Sequence, residues 1–319
     1  MSQHFSQLLV AILLYTGIGS AFAQNSSQPL RIIVPYAGGG STDVIARSVG
    51  QKLGEILGQA VIIDNRAGGG TLIGTQALKG ALPDGNTIML ATPDFIVNAF
   101  IHPRLPYDPL KDFVPISVIA QNPLVLATTA SLNTRTVPEV LRLAQAQPGT
   151  LNYGSAGIAS TAHLSGELLQ MLGDVKLNHV PYKGMGPAMV DLLAGRTQLA
   201  FVSWITIQQQ VEQGKLFPVG ITSAKRLPSL PNIPAISESV PGFELMVWFG
   251  LLAPKGTPPE AINRLQAALV QALRAPDVRQ QLATLAEVGA GTQKEFSELL
   301  VAEYAKWGKV VKAGNIKSE

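Results

Sequence analysis

Two apolar strands each run into Ala-Gly-Gly-Gly and then a hydroxyl residue, thirty positions apart: Ile32 to Ser41 (IIVPYAGGGS) and Val61 to Thr71 (VIIDNRAGGGT). Glycines let the backbone approach a ligand closely and aim consecutive N–H groups at it, and the helix that follows each turn adds the positive end of its dipole. The chemistry on offer is anion binding, and a carboxylate is the natural guest. One such turn is an ordinary corner of an α/β chain. Two copies single out Gly38, Gly39, Gly40, Gly69, Gly70 and Thr71 as donors to a ligand.

Catalytic patterns are weak by comparison. The turns lack the G-x-G-x-x-G spacing of dinucleotide sites, no G-x-x-x-x-G-K-[ST] cradles a nucleotide, and Gly154-Ser155-Ala156-Gly157 misses the G-x-S-x-G elbow by one residue. His163 and Glu167 stand at i, i+4, a spacing that suits a metal, but no third ligand suggests itself and an ordinary hydrogen-bonded pair is the better account. Tyr182-Lys183-Gly184 offers a phosphate contact or a catalytic amine. With four His and no nucleophile that has a base in reach, an exported hydrolase or isomerase stands only as the alternative function, and neither cofactor nor metal is expected.

The elements that must position these turns alternate between strand and helix. Strands are expected at Leu30–Pro35, Val61–Asp64, Thr87–Ala91, Pro115–Ala120, Leu124–Thr128, Leu151–Gly154, Leu199–Val202, Phe217–Thr222 and Met246–Ala253. Helical periodicity marks Thr42–Leu57 and Gly186–Ala194, the latter with Met189, Val190, Leu192 and Leu193 facing inward, and two or three helices over Pro258–Lys312, with a break at Pro276 and a new start at Thr292. This alternation predicts an α/β fold with mixed, mostly parallel sheets covered by helices. The long apolar stretches at Phe113–Thr128 and Val247–Ala253 read as two crossings between units. They give a discontinuous lobe 1 (24–123 plus 251–319), a lobe 2 (124–250) and a ligand cleft between them.

At the N-terminus, Leu8–Tyr15 is a short apolar run, Gly17 and Gly19 break it, and Ala21-Phe22-Ala23 has the small-x-small form of a cleavage site. Residues 1–23 therefore read as an export signal that places the mature chain in the periplasm. A retained anchor is the alternative, because only the α-amino group and His4 supply positive charge, although the run is too short to span a bilayer. The chain has no Cys, which excludes disulfides, thiolate metal sites and a cysteine-linked lipid. About 300 residues remain, enough for two domains. Their net charge of +3 is scattered without a basic block, so nucleic acid is not expected as a partner.

Several blocks carry a family resemblance: VPYAGGGSTDVIAR, DNRAGGGTLIGTQAL, LPYDPLKDFVPIS, LNYGSAGIASTAHLSGELL, HVPYKGMGPAMVDLLAGR and APKGTPPEAINRL. In order along the chain they resemble the Bug-type periplasmic solute receptors of tripartite tricarboxylate transporters. That resemblance implies a two-lobed, Venus-flytrap fold that closes on a carboxylated solute without catalysis. The implied partner is an integral membrane permease, with a sensor kinase as the alternative, and the protein is expected to act as a monomer. It also implies a structural or cleft-rim role for Tyr182-Lys183-Gly184.

Carried over by position, the ligand-facing segments are Tyr36 to Asp43, Gly68 to Thr71, Thr92 to Asp94 and Ser155 to His163. Ser155, Ser160 and Thr161 offer hydroxyls, and Gly157 offers backbone N–H at the mouth of a helix opening at Ser160 or Thr161. Asp43 suits capping better than ligand contact. The chain departs from the family pattern after Phe201, where Val202, Ser203 and Trp204 replace an acidic or amide residue, and at Thr197-Gln198 in place of Val-Asp. It departs again at Asp94, which puts a carboxylate where small or hydroxyl residues are usual. Facing an anionic guest it would be repulsive, so Asp94 either points away or selects a zwitterion.

Overall fold

In the computed structural model, which describes residues 28–182, 184–283 and 286–317, the alternation closes into two separate sheets. The residues assigned to the export signal and Lys183 lie outside the described set. The chain opens with β1 (Leu30–Val34), α1 (Ser41–Leu57), β2 (Val61–Asn65), α2 (Leu72–Lys79), β3 (Thr87–Ala91), α3 (Asp94–Ile101) and β4 (Phe113–Pro123). It continues through β5 (Val125–Thr129), α4 (Val137–Ala146), β6 (Asn152–Ser155), α5 (Thr161–Gly173), β7 (Asn178–Pro181), α6 (Met185–Leu193), β8 (Leu199–Val202), α7 (Trp204–Glu212) and β9 (Leu216–Ile221). It ends with β10 (Met246–Pro254), α8 (Pro259–Arg274), α9 (Pro276–Leu282), β11 (Glu287–Val288) and α10 (Gln293–Ala313).

The six-stranded sheet has the order β11-β4-β10-β3-β1-β2 and the five-stranded sheet β7-β6-β8-β5-β9. Both are mixed, as expected, but not mostly parallel. β1 is parallel to β2 and β3, and β6 to β7 and β8, while β10 and β4 run antiparallel to each other and β5 runs antiparallel to both of its neighbours. β5 and β10, the strands with which the chain enters each sheet from the other, cause most of this, because each runs against the direction of the β-α-β strands beside it. Met246 to Gly250, assigned from the sequence to lobe 2, pair with β4 and so belong to the six-stranded sheet.

Local chemistry accounts for the element ends. Thr292 caps α10 in a capping box with Glu295, and Pro276 opens α9 just after α8 stops. On α6 only Met189 and Leu192 of the expected four are buried; the helix packs the arc of Ala188, Met189 and Leu192 inward, which leaves Val190 and Leu193 exposed. In the last helix Trp307 is fully buried and its indole donates to the buried Glu303 at 2.7 Å, which also receives the Trp248 indole of β10. This ties α10 to the crossing strand.

The crossings are stitched at one point. The Leu124 amide donates to Thr222 Oγ1 at 2.7 Å, the Thr222 amide returns to the Leu124 carbonyl, and the Leu245 amide donates to the Thr222 carbonyl at 2.9 Å. One threonine thus joins the outgoing and the returning segments. No helix among the described residues is long and apolar enough to cross a membrane.

Candidate functional site

A cleft of about 850 Å³ lies between the two sheets, lined from the six-stranded side by Tyr36, Gly69, Gly70, Asp94, Asn98 and His102 and from the five-stranded side by Ala156 to Ser160 and Tyr182. A smaller cavity of about 340 Å³ adjoins it across Ala156 and Ser160 and is lined by Ser41, Asn122, Thr161, Ala162, Phe201 and Ser203.

The second glycine turn forms one wall. Gly68, Gly69, Gly70 and even Thr71 take positive φ values of 128°, 59°, 59° and 81°, a conformation that costs side chains about 1–2 kcal/mol each and that explains the glycine run. The carbonyls of Gly68 and Gly69 accept from Ile73 and Leu72, whereas the Gly69 and Gly70 amides have no acceptor among the described hydrogen bonds. Asn98, one helical turn after Asp94, locks the loop by donating to the Gly70 carbonyl at 2.6 Å and to Thr71 Oγ1 at 3.0 Å.

Beside this turn the Tyr36 hydroxyl donates to Asp94 Oδ2 at 2.8 Å and also bonds the Thr92 hydroxyl. Burial, then the neighbouring Asp94 charge, raises the Tyr36 hydroxyl well above its ordinary value, so it remains a donor. Burial also raises the Asp94 carboxyl, with the Tyr36 hydrogen bond opposing. The chain of polarity therefore runs from Thr92 through Tyr36 and ends on the Asp94 carboxyl group at the cleft wall.

The opposite wall is the N-terminus of α5. Ser160 is its N-cap: Oγ accepts from the His163 amide at 3.3 Å and donates to the Gly157 carbonyl at 2.7 Å. The amides of Thr161 and Ala162 have no partner among the described hydrogen bonds, as first-turn donors do not. Behind this loop two imidazoles stack at 3.7 Å between ring centres. His163 Nδ1 accepts from the Ala159 amide at 2.9 Å, and His179 Nε2 lies 2.7 Å from Ser155 Oγ. Burial, reinforced by the neighbouring His163, lowers His179 to about 4. Burial would raise Glu167, but hydrogen bonds from His163, Tyr153 and Gln170 bring it below its ordinary value.

Several positions singled out in the sequence are thereby displaced. Gly38, Gly39 and Gly40 are exposed and line neither cavity, and the Gly39 amide is already committed to Asp43 at 2.9 Å. Asp43 is buried, bonded to Arg47 and Asn65 as well, and held at about 2 by Arg47 first and the Gly39 amide second, so it organises the first turn rather than meeting the ligand. Thr71, Thr92, Ser155 and His163 are all buried and turned to protein partners, because each hydroxyl or imidazole satisfies a neighbouring buried group. Ser155 and His179 stand at a nucleophile–base distance, but Ser155 is fully buried behind the loop.

Tyr36, Gly69, Gly70, Asp94, Gly157 and Ser160 come together in the main cleft, and Thr161 and Ser203 in the adjoining one, but the Gly157 amide expected to meet a ligand is spent on Ser155 Oγ at 3.1 Å. Ser203 accepts from Asn122 at 3.2 Å, which links the two sheets at the back of the small cavity. Sequence reasoning missed Asn98 and His102. Asn98 had a usable signal, its i+4 spacing from Asp94 on one helix face.

The family model described as tripartite tricarboxylate transporter family receptor matches residues 45–316. The chain belongs to that family. It is a solute receptor and not an enzyme. It is 33% identical to Protein BugT of Bordetella pertussis over 91% of this chain and 90% of that one. Among solved structures it is similar to an adipate-bound protein of R. palustris, with 35% identity, 91% and 98% coverage and a TM-score of 0.78. The malate-bound MatC of Rhodopseudomonas palustris has 29% identity, 89% and 99% coverage and a TM-score of 0.74.

Proposed function

We propose that this chain is a periplasmic receptor that binds a small carboxylated solute in the cleft between two lobes, residues 24–123 plus 251–319 and 124–250 apart from the β10 residues of the first sheet, and delivers it to a membrane permease. One carboxylate sits on the Gly69 and Gly70 amides. A second polar group of the solute meets the N-terminus of α5 at Ser160 and Thr161. The observation that carries this is the pair of adjoining cavities: the unspent Gly69 and Gly70 amides line the main cleft, Thr161 and Ala162 with their unspent first-turn amides line the small one, and no Lys or Arg lines either among the described residues.

Neutral donors suit a receptor, because they recognise an anion without the deep desolvated ion pair that slows release. The adipate and malate held by the two relatives are diacids, which fits a grip at both ends. Lobe closure is part of this reading: donors anchored in different sheets are to meet one small solute as the cleft narrows, with the Leu124–Thr222–Leu245 hydrogen bonds joining the connecting segments. Small-angle scattering with and without a saturating diacid tests this reading. A more compact bound form is expected, and an unchanged profile at saturation contradicts the two-lobed grip.

A further inference from the structure

Asp94 is a carboxylate in the wall of a cleft read as an anion site, and the reading of that cleft just given is the ground on which the following rests. We propose that Asp94 selects solutes bearing an ammonium group next to a carboxylate, so that the preferred ligands are α-amino acids of the diacid class rather than plain diacids. Three observations lead there.

First, Asp94 lines the same side of the cleft as Gly69 and Gly70, so one small solute faces both anion donors and an acid there. Second, the hydrogen-bond chain that ends on Asp94 has a direction. The Tyr36 hydroxyl spends its proton on Asp94 Oδ2, which leaves the Thr92 hydroxyl to donate to Tyr36, and no other side chain donates to Asp94 among the described hydrogen bonds. The free capacity of Asp94 is therefore that of an acceptor, and a guest must bring a donor. Third, no Lys or Arg lines the cleft among the described residues, so a plain diacid would place its charge against that of Asp94. An ammonium reverses both penalties at once, with a charge-assisted hydrogen bond.

The test titrates wild type, Asp94→Asn and Tyr36→Phe with three matched pairs: aspartate and succinate, glutamate and glutarate, 2-aminoadipate and adipate. In wild type the amino member of the best pair should bind at least about tenfold more tightly than its deaminated partner. Asp94→Asn should abolish that ratio by weakening the amino acid and improving the plain acid, while Tyr36→Phe, which keeps the carboxylate, should retain it. If Asp94→Asn fails to fold, the wild-type and Tyr36→Phe ratios carry the test. Plain acids that bind as tightly as their amino partners overturn the proposal and leave the receptor reading intact. Binding of no member of any pair overturns both.

Discussion

Ser160 offers the clearest way to separate the fold of the cleft from its affinity. Its hydroxyl caps α5 through the His163 amide at 3.3 Å, holds the Gly157 carbonyl at 2.7 Å, and lines both cavities. Ser160→Ala removes a cap worth about 1 kcal/mol and should lower the urea midpoint accordingly. Ser160→Asp restores a capping acceptor, with its charge favourably placed at the helix N-terminus, so its stability should return close to wild type. Binding should move the other way. A ligand carboxylate within about 5 Å of the new charge is repelled by about 3 kcal/mol at an effective dielectric of about 20, roughly a hundredfold in affinity. Isothermal titration of both variants with the best carboxylate reads this directly. A Ser160→Asp protein that is stable and binds that carboxylate at wild-type affinity would refute the placement of an anionic group at the start of α5.

His179 should make the protein acid-sensitive. Its folded value of about 4 lies below the ordinary 6.5, so between those values the unfolded chain binds more protons and stability falls as pH is lowered through that window. Allowing for partial exposure, urea titrations should show a loss of about 2 kcal/mol between roughly pH 7 and pH 4.5, and His179→Gln should flatten that slope. Asp43→Ala removes the acceptor of Gly39, Arg47 and Asn65 and should cost about 1–3 kcal/mol of stability. Because Asp43 lines neither cavity, its affinity for the solute should stay within about twofold of wild type, and a large drop would return the first glycine turn to the site.

The frame of the molecule is legible where a repeating physical cause writes it into the chain. Apolar runs bounded by glycine and proline mark the strands from Leu30 to Met246, and the capping chemistry at Thr292 and Pro276 fixes the last helices. β7 escapes because Asn178-His179-Val180-Pro181 has one aliphatic residue and takes its place through pairing with β6, and β11 is only two residues long. The direction of the crossing strands depends on long-range pairing, which no local window contains. The candidate site divides along the same line. Glycine turns announce unspent amides, yet the sequence does not tell that Asp43 takes the Gly39 amide of the first turn or that Asn98 holds the Gly70 carbonyl of the second against the cleft. The hydroxyls of Thr71, Thr92 and Ser155 look identical in sequence to those of Ser160 and Ser203, and only the surrounding packing turns the first three inward.

The central claim is that the cleft holds a small carboxylate and gives it back unchanged. Native mass spectrometry of the purified protein, followed by identification of what acid denaturation releases, tests it most directly. The predicted result is one intact carboxylate per chain, recovered in the form in which it was supplied. Recovery of a converted product whose yield grows with protein concentration would contradict it.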